Sequence, residues 1–230
     1  MPPLPALLIT LFLTVVLPVL AAVVLARRDR GCLSPFLLGA ATFGVAQYLL
    51  RMPLLRLLLQ ESLGFLLFSR TQPVWYPLFL ALTAALFEEG GRYLVMRCIM
   101  KRRGFLDGVA FGVGHGGMES ILLIGLPALS LLASPQEISG AMVLLSGAER
   151  VFTMVIHVAF SVMVLRAARR RRIGGLLLAF ALHTALNFIA LLMQNQGLPI
   201  YLTELFILGF MFFMVGYLLY VKSKVEEDLP

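Results

Sequence analysis

The sequence predicts an all-α, polytopic membrane protein with about seven transmembrane helices. Of its 230 residues, 60% are hydrophobic and only 13% are charged, and the mean hydropathy is +0.94. A soluble domain is about 45–50% apolar and about 25% charged, so disorder, a coiled coil and an ordinary cytosolic enzyme are excluded. A membrane-crossing helix needs about 20 mainly apolar residues. The stretches 4–26, 33–50, 73–96, 105–132, 141–165, 173–194 and 199–221 meet that requirement. They leave no room for a soluble domain of ordinary size. Residues 1–230 are therefore expected to form one integral membrane domain, with the chemistry on the spans of 73–194.

The first stretch has no Lys or Arg before Arg27 and is longer than a signal-peptide core, so it reads as a retained span. Basic residues then set the orientation. Arg27, Arg28 and Arg30 follow the first span, and Arg97, Lys101, Arg102 and Arg103 the third. Arg166 and Arg169 to Arg172 follow the fifth, and Lys222 and Lys224 the seventh. These alternate connections hold 14 of the 19 basic residues, and the opposite side holds Arg51, Arg56 and Arg70. Short cytoplasmic loops collect Lys and Arg, which places the N-terminus outside and the C-terminus in the cytoplasm. The net charge of +7 thus reflects topology in a multi-pass cell-membrane protein, with lipid and not nucleic acid as its partner.

Residues 51–72 form the longest connection. Leu54, Leu55, Leu58 and Leu59 share a helical face, interrupted by Arg51, Arg56 and Glu61. That pattern predicts an amphipathic helix along the outer interface, with an eighth, tilted span as the alternative. Trp75, Tyr76 and Tyr201 fit an outer aromatic belt.

A charge near the bilayer centre costs at least about 2.5–3.5 kcal/mol and usually marks function. Four predicted spans carry such groups. The third has Glu88, Glu89 and Arg92, and the fourth His115 and Glu119; the fifth has Glu149, Arg150 and His157, and the sixth His183 and Asn187. Glu88 and His157 each lie nine residues before a basic helix end, and His115 and His183 about ten or eleven after a helix start. At about 1.5 Å per residue, all four sit about 14–16 Å deep, near the middle of a core about 30 Å thick. The pairs Glu88/Arg92, His115/Glu119 and His183/Asn187 are four apart and share a helical face. Glu119, Arg150 and Asn187 form a second layer suited to holding the first. Gly112, Gly114, Gly116 and Gly117 flank His115, giving room for close helix packing or for a substrate backbone.

Three imidazoles and one or two carboxylates suit zinc or a similar divalent ion, with His115, His183 and His157 as ligands. Without a metal, Glu88 or Glu89 could activate water directly while His183 and Asn187 donate to an oxyanion. Both schemes lead to peptide hydrolysis within the membrane, and the sequence leaves the choice open. Arg92, Glu119, Glu149 and Arg150 read as supporting groups.

At these motifs the chain resembles the YhfC-like membrane peptidases, and with them the CPBP (CAAX-processing and bacteriocin-processing) and PrsW-type intramembrane proteases. The shared pattern is a Glu pair followed by Arg or Lys, then Phe-x3-His, then His-x3-Asn or Asp. Here it reads Glu88-Glu89 with Arg92, Phe111 with His115, and His183 with Asn187. The resemblance implies an intramembrane endopeptidase acting on a membrane-associated protein or peptide. In it, one Glu and His115 activate water, and His183 and Asn187 bind the oxyanion or a metal. Only Gly90 and Gly91 separate the Glu pair from Arg92, against three residues in the CPBP pattern, so either Glu remains a candidate base. His157 resembles the additional histidine of PrsW-type members. The alternatives are a transporter or permease for a divalent cation or proton, built on a carboxylate–histidine relay, and a non-catalytic membrane scaffold.

Overall fold

Helix breakers divide the chain. The computed structural model describes residues 4–134 and 137–227, and no strand occurs among them. The helices are α1 (Leu4–Arg28), α2 (Arg30–Glu61), α3 (Leu63–Thr71), α4 (Trp75–Leu94), α5 (Phe105–Ala133), α6 (Gly140–Arg170), α7 (Gly174–Asn195) and α8 (Ile200–Glu227). The protein is an all-α, multi-pass membrane protein, as predicted. Among the described residues, six helices (α1, α2, α5, α6, α7 and α8) are long and apolar enough to cross a bilayer. The remaining predicted span, α4, has 20 residues but concentrates Glu88, Glu89 and Arg92 in its second half.

Local sequence explains the helix ends. Asp29 stops α1 and accepts a bond from the Gly31 amide at 2.8 Å, starting α2. Ser62 caps α3 by accepting from the Phe65 amide. Gly197, at φ +68, ends α7, with the Leu198 amide donating back to the Met193 carbonyl. Proline explains three widened, π-type turns, at Phe12–Val16, Gly44–Arg51 and Ile121–Gly125. Each contains the residue four before a proline (Pro18, Pro53 and Pro127). A proline ring collides with that carbonyl and offers no N–H, and a wide turn relieves the collision.

The segment at 51–72 departs from expectation. Residues 51–61 do not begin a separate interfacial helix; they extend α2, because the helix widens ahead of Pro53 instead of breaking. Arg51, expected at the outer interface, is buried. Ser62 then introduces α3.

The chain falls into two compact units: Met1–Ala41 with Arg102–Val162 and Met211–Pro230, and Thr42–Lys101 with Met163–Phe210. In the first, glycines bring helices together. A Cβ on Gly114 would lie 2.0 Å from the Phe36 carbonyl oxygen, and one on Gly39 would lie 2.0 Å from that of Phe111. Gly112 lies against Val158 of α6, and Gly117 against Pro18 of α1. The space beside these glycines is therefore filled by α1, α2 and α6, which corrects the idea of room for a substrate backbone. In the second unit, α7 lies along α4, and the Gly44–Arg51 turn packs on α4.

Candidate functional site

In the second unit, α4 supplies Glu88, Glu89 and Arg92 on neighbouring turns. Arg92 is fully buried and contacts both carboxylates. Its Nη1 donates to Glu89 Oε1, and its Nη2 lies 3.5 Å from Glu88 Oε2. His183 on α7 joins them, with Nδ1 2.7 Å from Glu89 Oε1 and Nε2 3.9 Å from Glu88 Oε1. Glu89 thus receives both a guanidinium and an imidazole on one oxygen. Asn187, one turn beyond His183, is half-buried and makes no side-chain hydrogen bond to this set.

Two residues that sequence reasoning passed over belong here. Gln47 Nε2 donates to Glu88 Oε1 at 2.5 Å, and Arg51 Nη1 donates to Gln47 Oε1 at 3.0 Å. Their four-residue spacing in an otherwise apolar stretch was the available signal. It was hidden because Arg51 counts equally well as a loop charge.

In the first unit, Arg150 on α6 bridges two carboxylates. Nη1 donates to Glu119 Oε1 at 2.8 Å and Nη2 to Glu149 Oε1. His157 Nε2 lies 2.5 Å from Glu119 Oε2. The rings of His115 and His157 lie 5.2 Å apart at 40°, and Phe111 stacks on His115 with its centroid 6.4 Å away. All three histidines are buried.

The two units therefore repeat one arrangement, Arg92–Glu89–His183 in one and Arg150–Glu119–His157 in the other. Burying a lone charge is prohibitive, whereas a paired and hydrogen-bonded one is tolerated. Each Arg offsets a Glu, and each Glu in turn lies against a histidine nitrogen: Glu89 Oε1 is hydrogen-bonded to His183 Nδ1, and Glu119 Oε2 lies close to His157 Nε2. Metal-binding histidines are usually held this way, and imidazole with carboxylate is a donor set that suits zinc. The residues present thus fit a divalent metal.

The sequence profile described as YhfC intramembrane metalloprotease matches residues 13–139 and 130–208. The chain belongs to the YhfC family. A YhfC relative, the uncharacterized membrane protein YhfC of Bacillus subtilis (strain 168), is 32% identical over 208 residues, covering 78% of this chain and 80% of that protein. No solved structure matches the chain. The YhfC description points to a metal-dependent protease in the membrane, in line with the histidine and carboxylate sets above.

Proposed function

We propose that this protein is an intramembrane zinc-type endopeptidase that hydrolyses a peptide bond of a membrane-associated protein or peptide. The observation that supports the reading is the duplicated Arg–Glu–His arrangement, which spends two intramembrane arginines on orienting histidines. Their common depth in the sequence, near the bilayer midplane, is where hydrolysis within the membrane would need them.

In this reading His115, His157 and His183 are the metal ligands the sequence offers, with Glu119 beside His157 and Glu89 beside His183. When bound, such a metal polarises the scissile carbonyl and makes a water molecule acidic enough to attack near neutral pH. Glu88 is the general base. Gln47 and Arg92 direct donors at its two oxygens, which keeps it an acceptor. It takes the proton from the attacking water and returns it to the departing amine, so that water adds across the C–N bond. Asn187, one turn from His183, is the donor to the developing oxyanion in this reading. The division between Glu88 and Glu89 follows from their partners: Glu89 is committed to Arg92 and His183 through one oxygen, whereas Glu88 contacts His183 only distantly.

The test compares membrane-fraction proteomes and metal content of wild type with Glu88→Gln, His115→Ala and His183→Ala. Glu88→Gln should accumulate uncleaved substrate while keeping its metal, and the histidine variants should lose both metal and cleavage. Full cleavage by correctly folded Glu88→Gln or His183→Ala protein would overturn the assignment.

A further inference from the structure

Gln47 and Arg51 stand on the widened Gly44–Arg51 turn of α2, both buried. Arg51 is fixed to α4 ahead of the Glu pair. Its Nη2 donates to the Leu80 carbonyl at 2.7 Å, and its Nε donates to Thr83 Oγ1 at 3.1 Å. The Thr83 hydroxyl is itself anchored, 2.9 Å from the Phe79 carbonyl. A guanidinium has five donors and no acceptor. The Gln47 group facing Arg51 must therefore be its carbonyl oxygen, and its NH2 is turned the other way, onto Glu88 Oε1 at 2.5 Å. An amide is symmetric in shape and ambiguous in direction, and Arg51 removes that ambiguity.

We propose that Gln47 is a positioning residue for Glu88, and that Arg51 acts through Gln47 by fixing which end of its amide meets the carboxylate. The inference rests on Glu88 being the base of the proposed peptidase. Gln47 holds Oε1 while Arg92 faces Oε2, so the carboxylate meets a donor on each side. A base must lie within hydrogen-bond reach of the proton it takes, and a small misplacement costs rate more than binding. An intramembrane arginine used only to join α2 to α4 would need no glutamine between itself and a carboxylate. The order Arg51, Gln47, Glu88 is that of a relay which sets direction.

The experiment uses the full-length protein in liposomes, with Gln47→Met, Arg51→Met, the double variant, Gln47→Asn and Glu88→Gln. The first readout is the infrared carboxylate stretch assigned to Glu88 by its loss in Glu88→Gln, which needs no substrate. It should shift in Gln47→Met and in Arg51→Met, and shift no further in the double variant, because Arg51 acts through Gln47. Gln47→Asn, one methylene short, should shift it as well and covers the case in which Gln47→Met does not fold.

The second readout is cleavage of a protein that accumulates in Glu88→Gln membranes. For Gln47→Met, kcat should fall about 10- to 100-fold, the usual effect of removing an orienting partner, with KM within about twofold. A Glu88 band and kcat at wild-type values in folded Gln47→Met, with Glu88→Gln inactive, would overturn this inference and leave the peptidase reading standing. Full activity of Glu88→Gln would instead overturn the peptidase reading, and the positioning role with it.

Discussion

Arg92 and Arg150 each lie between two glutamates, and each of those arrangements also holds a histidine. Breaking a buried ion pair leaves an uncompensated charge, at a cost of about 3–5 kcal/mol. Arg150→Met should therefore unfold at lower temperature in detergent by that order. Glu149→Gln should cost less than about 1 kcal/mol, because Glu149 is the more exposed of the two partners and Glu119 still neutralises the guanidinium. The orienting role proposed for Glu89 and Glu119 makes a different prediction. Glu89→Gln and Glu119→Gln should each weaken metal binding about 10- to 100-fold without abolishing it, as measured by competition with a chelating dye. Unchanged affinity in both would remove the argument from histidine orientation.

At the scale of the helix, glycine and proline decide how close two elements come. A Cβ at Gly112 would lie 2.4 Å from the Val158 Cα, a backbone atom that cannot swing aside. Gly112→Ala should thus destabilise by about 1–3 kcal/mol. At Gly216 in α8 nothing lies within 4 Å, and Gly216→Ala should stabilise by up to about 1 kcal/mol through helix propensity alone. Thermal unfolding of the two variants side by side checks both signs. The turn between α1 and α2 is also pinned to the chain just before α5. Arg102 pairs with Asp29 and lies 3.1 Å from Asp107. The bond from the Arg102 side chain, helped by the Gly31 amide, holds the Asp29 carboxyl below its ordinary value of 3.8. A depressed carboxyl stabilises the fold fully above that value and stops doing so as pH falls through the folded-state pKa. Acid sensitivity below about pH 4 should therefore diminish in Asp29→Asn, as followed by unfolding across pH 2–6.

For the molecule as a whole, charge makes a prediction of topology. Reporter fusions at the 101–104 and 171–173 connections should report the cytoplasm, and fusions at 196–199 the exterior, if short basic loops stay inside. The opposite pattern would reverse the orientation. Apolar runs of span length already make the chain helical and membrane-bound, because in lipid every backbone polar group must be satisfied within its own segment. Glu88, Glu89, His115, His157 and His183 likewise stand out as the residues to watch, because ionisable groups at membrane depth are too costly to keep without a use. Helix packing, which no spacing reveals, joins Gln47 and Arg51 to Glu88, bonds Glu89 to His183 and sets Glu119 against His157. It also fills the space beside the glycines around His115 with neighbouring helices. Composition and spacing give a side chain's depth and its face on one helix, but a hydrogen bond is directional and reaches only about 3 Å. Which carboxylate meets which imidazole depends on how helices distant in sequence turn toward one another, and packing alone sets that.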